Sequence, residues 1–264
     1  SIEITKTDDA SPANPLDGAA FTLFTNASPL TAPRDTATDL VTDPALTCTT
    51  GTNGKCTIAN LPLGDYWVVE TTVPHGYAGA ADWPVTISST EKVTHSFVDP
   101  RLRGAIKITK AAKFKGTGVN PGLAGTFTVQ TSEGPKSVST TAVAGSSTTA
   151  CITGLLFGTY TVSESTVPTG YTGPADATGV VVNSAAADCD TAGTFATASF
   201  ENTPRSDITV GFTSQVAGAT AAKISCTGLD PATADSTPDD YDDVTESYVN
   251  LAPGTYTCTV VVDP

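Results

Sequence analysis

Four blocks of this sequence recur once, in the same order, about a hundred residues further along the chain. SIEITKTD at 1–8 is matched by GAIKITKA at 104–111, and PLDGAAFTL at 15–23 by GLAGTFTV at 122–129. LPLGDYWVVETTVPHGY at 61–77 is matched by LLFGTYTVSESTVPTGY at 155–171, and SFVDP at 96–100 by SFENT at 199–203. So long a period exceeds a solenoid repeat and marks whole domains in tandem. A third, degenerate copy follows: DITVGF at 207–212 resembles the opening block and LAPGTYTCTVVVDP at 251–264 the Gly-Tyr block, with no counterpart of the closing block after it. The expected domains are therefore 1–102, 103–204 and 205–264, two complete and one degenerate or incomplete. The unfinished copy admits two explanations, an excised segment or completion by a strand from another chain. The absence of methionine, even at position 1, fits a piece of a longer chain.

Within each copy, short runs alternate apolar and polar residues and are rich in Val, Ile, Thr and Tyr, as in Tyr66-Trp67-Val68-Val69 and Thr159-Tyr160-Thr161-Val162. Gly, Pro, Asn and Asp punctuate them, as in GTNGK at 51–55. This is strand and hairpin chemistry, and no long stretch holds a helical period, so the chain reads as all-β. Alternation puts Ile2, Ile4 and Lys6 on one face, and Ile106, Ile108 and Lys110 on one face with Lys107 on the other.

Composition narrows the function. The net charge of −14 opposes binding to nucleic acid or anionic lipid. It is uneven: 4 basic and 12 acidic residues lie in 1–100, 7 and 6 in 101–204, and 2 and 9 in 205–264. No apolar run reaches membrane-helix length, so no membrane insertion is expected of this segment. The six cysteines fall two per copy: Cys48 and Cys56 flanking a turn, Cys151 with Cys189, and Cys226 with Cys258. No CxxC motif is present and there are only two histidines, so three local disulfides and an oxidising, extracellular setting are the better reading than a zinc site. Asp235, Asp239, Asp240, Asp242, Asp243 and Glu246 form an acidic run without EF-hand spacing, read as a solvated loop and not a metal site. No GxSxG elbow supports a hydrolase, and no cofactor is expected.

In both complete copies a lysine stands on the first strand, a glutamate just before a VPxGY turn, and an Asp or Asn on the last strand. With ITK, LxGAxFTL, LxxGxYxVxExxxPxGY and the closing SFxD or SFxN, the sequence resembles the Cna B-type (SpaA-type, prealbumin-like) domains of Gram-positive pilins and surface adhesins. The resemblance implies tandem Ig-like, prealbumin-like β-sandwiches, each closed by a self-formed amide between its first and last strands. It implies Lys6 joined to Asp99 with Glu70 assisting, and Lys110 joined to Asn202 with Glu164 assisting. In the third copy Phe212 stands for the lysine and Val260 for the glutamate, so no amide is expected there. A Lys6–Asp99 salt bridge is the plainer alternative in the first copy.

The resulting expectation is a non-enzymatic stalk or shaft segment of an extracellular surface or pilus-like protein, partnered by other segments or copies of that protein. The alternative readings are an adhesin module binding a host or matrix ligand, for which Trp67 and Trp83 are the only tryptophans, and a filament subunit assembled by strand addition. Neither an LPxTG signal nor a YPK-like pilin motif occurs, so sortase chemistry is not carried over.

Overall fold

The computed structural model describes residues 1–27, 33–113, 122–213, 222–229 and 245–262, and every helix or strand named among them is a strand. Asp235, Asp239, Asp240, Asp242 and Asp243 of the acidic run lie outside these residues. The chain divides into two compact units: Ser1–Gly104 with Gly154–Gly158 and Asn183–Ala187, and Ala105–Thr153 with Thr159–Val182 and Asp188–Pro264.

The first unit is built on seven strands, β1 (Ile2–Asp8), β2 (Ala20–Thr25), β3 (Thr47–Thr49), β4 (Lys55–Ile58), β5 (Gly64–Thr72), β6 (Trp83–Ile87) and β7 (Val93–Asp99). They form two sheets, ordered β4-β1-β7 and β3-β2-β5-β6. Strict alternation makes β1 two-faced: Ile2, Ile4, Lys6 and Asp8 are buried and the residues between them are half-buried. The buried face meets Phe21, Leu23, Ile58, Val68 and Phe97 in one apolar core. Strand β1 runs antiparallel to β4 but parallel to β7, from Ile2 beside Val93 to Asp8 beside Asp99. The first and last strands are thus neighbours along their whole length.

A tight turn lets the chain pass from one sheet to the other. Gly54 has φ +68°, and a Cβ there would lie 2.4 Å from the Lys6 carbonyl oxygen, so only glycine fits. The Lys6 N–H donates to the Gly54 carbonyl at 2.7 Å. Strands β3 and β4 on either side of this turn belong to different sheets, and the Cys48–Cys56 disulfide joins them. On β5, Trp67 is 1% exposed and pairs with Phe24 of β2, over whose ring the Arg34 guanidinium lies at 4.3 Å.

In the second sandwich, β8 (Arg103–Ala112), β9 (Gly125–Val129), β10 (Lys136–Thr140), β11 (Thr148–Leu156), β12 (Gly158–Thr166), β13 (Tyr171–Thr172), β14 (Ala177–Val182) and β15 (Ala196–Pro204) repeat the plan. Their sheets are ordered β11-β8-β15-β13 and β10-β9-β12-β14. Again the opening and closing strands are parallel neighbours, from Ile106 beside Ala196 to Ala112 beside Asn202. Lys107 stands on the opposite face from Lys110, its Nζ 5.4 Å from the centre of the Phe195 ring. Cys151 and Cys189 are joined.

The last segment holds β16 (Ser206–Gly211), β17 (Ala222–Cys226), β18 (Thr245–Leu251) and β19 (Cys258–Val262), paired β16-β18 and β17-β19. The pairing keeps the registers of the first sandwich. Ile208 faces Tyr248 as Ile2 faces Ile58, and Ile224 faces Val260 as Phe21 faces Glu70. Asn60 and Asn250 both adopt left-handed φ, 57° and 60°, before the Gly-Tyr block. Tyr66 and Tyr256 each donate a hydroxyl to the carbonyl four residues back, Pro62 and Ala252. Where Leu23 meets Val68 in the first sandwich, the last segment has the Cys226–Cys258 disulfide. Phe212 is half-buried and Val260 exposed.

Candidate cross-linking sites

Strand periodicity and parallel pairing together bring three distant side chains to one point in each sandwich. Lys6 is directly opposite Phe97 on β7, so its side chain reaches forward to Asp99, two residues on. Lys110 is directly opposite Phe200 and reaches Asn202 in the same way. The register offset is identical although the paired residues lie 93 and 92 positions apart in sequence. Lys6, Asp99, Lys110 and Asn202 are each 0% exposed.

In the first sandwich Lys6 Nζ donates to Asp99 Oδ1 and, at 3.2 Å, to Glu70 Oε2. The same glutamate oxygen accepts the Ala80 N–H at 3.0 Å. In the second, Lys110 Nζ donates to Glu164 Oε1 and to Asn202 Oδ1, and Asn202 Nδ2 donates to Glu164 Oε1 at 3.4 Å. The glutamates arrive from the facing sheet: Glu70 is paired with Phe21 on β2, and Glu164 with Phe127 on β9. Their side chains are 1% and 2% exposed.

Isolated buried charges are costly, and burial shifts one group in each cluster. Burial raises the Glu70 carboxyl above its ordinary range, against the opposing pull of the Ala80 N–H and of Lys6. Burial lowers the Lys110 amine, against the opposing pull of Glu164. Both shifts favour the neutral forms, an acid able to donate a proton and an amine with a free lone pair. The arrangement therefore offers a nucleophile, a carboxyl or carboxamide carbon, and a proton carrier within one dry cluster.

Two contributors escape a reading based on charged residues. The Ala80 amide is one, since a backbone donor leaves no trace in side-chain type. The other is the glycine before it. A Cβ at Gly79 would lie 2.8 Å from Val73 Cγ2 and 3.4 Å from Glu70 Oε2, and at Gly173 it would lie 2.8 Å from Val167 Cγ2 and 3.3 Å from Glu164 Oε2. Both glycines stand two residues past the tyrosine of the VPxGY block, a recurrence visible in the sequence. Among the described residues no group of three or more His, Cys, Asp and Glu could hold a metal ion, and no helix is long and apolar enough to cross a membrane.

Residues 1–100 match the SpaA family, a prealbumin-like fold domain. No curated protein matches the chain. Among solved structures, the Bacillus anthracis TIE protein aligns with 99% of this chain at 19% identity and a TM-score of 0.51, and the chain spans 45% of that protein's length. A streptococcal ancillary pilin aligns over 77% of this chain and 62% of its own, with 23% identity and a TM-score of 0.34. The shaft pilin SpaA from Lactobacillus rhamnosus GG aligns over 78% of this chain and 97% of its own, with 18% identity and a TM-score of 0.34.

Proposed function

We propose, for a chain whose residues 1–100 match the SpaA prealbumin-like domain, that it is a structural shaft or stalk segment of an extracellular, pilus-like surface protein, closed by self-formed amides. One observation carries this reading: in each of two sandwiches a fully buried lysine touches a fully buried Asp or Asn on the parallel neighbour strand, beside a buried glutamate. A structural lysine would ordinarily keep its ammonium in water.

The reaction is a single acyl transfer at each site. The Lys6 Nζ lone pair attacks Asp99 Cγ while protonated Glu70 donates a hydrogen bond to the acid carbonyl. The N–C bond forms, the C–OH bond breaks, one amine proton passes through the glutamate to the hydroxyl, and water leaves. At the second site Lys110 Nζ attacks Asn202 Cγ, Glu164 carries the amine proton to the carboxamide nitrogen, and ammonia leaves. Each event happens once per chain and consumes the site, so the chain turns over no substrate. The other partners in this reading are further segments or copies of the same surface protein.

The adhesin alternative draws less support. Trp67 is buried, and Trp83 is half-buried and stacked on His95 at 4.0 Å. The deciding experiment is the intact mass of the full chain after disulfide reduction. A deficit of one water plus one ammonia supports both amides, and the unmodified mass rejects the proposal.

A further inference from the structure

We propose that each glutamate needs a second hydrogen-bond donor besides its lysine, and that the two sandwiches supply it differently: the Ala80 peptide N–H where the acceptor is Asp, and the acceptor's own amide where it is Asn. This rests on the cross-linking reading above and concerns which residues can accompany which acceptor.

The two sites differ in the acceptor, in one backbone N–H, and in the residue two before the phenylalanine paired with the glutamate, Ala19 in the first sandwich and Gly125 in the second. In the first sandwich Glu70 Oε2 takes the Ala80 N–H at 3.0 Å and Lys6 Nζ at 3.2 Å, while Glu70 Oε1 and Asp99 Oδ2 are buried without a hydrogen-bond partner. A carboxyl at residue 99, unlike a carboxamide, has no N–H to give. In the second sandwich the residue following Gly173 is Pro174, which has no N–H at all. There Glu164 is held through Oε1, by Lys110 Nζ and by Asn202 Nδ2 at 3.4 Å, and Oε2 is buried without a hydrogen-bond partner. The surrounding loop is otherwise the same, since Gly79 and Gly173 approach the same valine and the same glutamate oxygen to within a tenth of an ångström of each other. The terminal torsion of a glutamate is soft, so a carboxyl held by one donor swings about it, and a second donor fixes which oxygen faces the acceptor carbonyl. Ala80 with Asp99, and Pro174 with Asn202, are two solutions to one positioning requirement.

The matched loops also make the test practicable. Ala80→Pro reproduces a Gly-Pro step that the second sandwich already accommodates. In the full chain, the fraction of each site reacted is read from intact mass and from the cross-linked peptides after proteolysis. Ala80→Pro is expected to lower reaction at the first site about tenfold, the scale for losing one hydrogen bond. Ala80→Pro with Asp99→Asn is expected to restore it, now with loss of ammonia. Pro174→Ala leaves the second site unchanged, Asn202→Asp slows it, and Asn202→Asp with Pro174→Ala restores it with loss of water. Full reaction of Ala80→Pro, or no rescue in a folded double variant, overturns the inference. If Ala80→Pro does not fold, the Asn202→Asp pair with and without Pro174→Ala decides alone. A wild-type chain lacking both deficits rejects the cross-linking reading itself, whereas a fully reacted wild type with an equally reacted Ala80→Pro rejects only this positioning role.

Discussion

The rings of Phe21 and Phe97 lie 4.8 Å apart between centroids, and Lys6 Nζ sits 5.9 and 6.0 Å from them. Phe127 and Phe200 repeat the pair at 4.9 Å, with Lys110 Nζ 5.9 Å from Phe127. Each amine is therefore walled by hydrocarbon from the facing sheet and from its own, which is what denies it water. Phe21→Ala should cost about 3–5 kcal/mol of stability through the cavity it leaves. It should also lower the yield of the first amide, because the cavity loosens the packing that holds Lys6 against Asp99. Denaturant titration and intact mass measure the two effects separately.

Removing one glutamate should affect one site. Glu164→Ala is expected to leave the chain heavier by one ammonia while the water deficit of the first sandwich persists. The second sandwich then loses the closure of a loop of 92 residues, about 4–5 kcal/mol in the chain-entropy account. A calorimetric trace in which only one transition moves down is the expected result.

Burial holds the His95 imidazole below its ordinary pKa, where it stacks on Trp83 with rings 7° from parallel. The folded state then takes up a proton less readily than the unfolded chain does. The stability tied to this residue is present above the unfolded value of about 6.5 and is lost as pH falls below it. Denaturation midpoints measured from pH 8 to pH 5 should fall for the wild type and fall less for His95→Phe. Equal slopes for the two proteins would refute the assignment.

The Cys151–Cys189 disulfide closes 38 residues, so replacing both cysteines by serine should cost about 4 kcal/mol in the same account. The amide between Lys110 and Asn202 should still form, since the hydrogen bonds that join Lys110, Glu164 and Asn202 involve neither cysteine. Thermal unfolding and intact mass of the double variant test both statements.

Much of this architecture is written in local patterns. The alternation of Ile2, Ile4 and Lys6 puts the lysine on the buried face, and the repeated SFVDP and SFENT blocks show that a closing strand exists. The pairing of Cys48 with Cys56 follows from the turn between them. What local pattern does not reveal is which strands become neighbours. That β1 lies parallel to β7 depends on the whole sandwich, and so does the two-residue offset that brings Lys6 to Asp99. The burial of Trp67 accords with its strand phase, whereas the groups that cover it, Phe24 across the strands and Arg34 above it, are not local. The Ala80 amide is invisible for a different reason, since its donor belongs to the backbone and only the proline at 174 hints that it matters.

The parallel pairing of β1 with β7 also sets the route of traction. Because the two strands point the same way, the chain enters the sandwich beside Ile2 and leaves it beside Asp99, at opposite ends of the pair. With Lys6 and Asp99 joined, a pull between those ends crosses from residue 6 to residue 99 and bypasses everything between. Some 90 residues, on the order of 300 Å of contour length, stay out of the stretched path, and the strand segment Ile2 to Lys6 alone spans the gap.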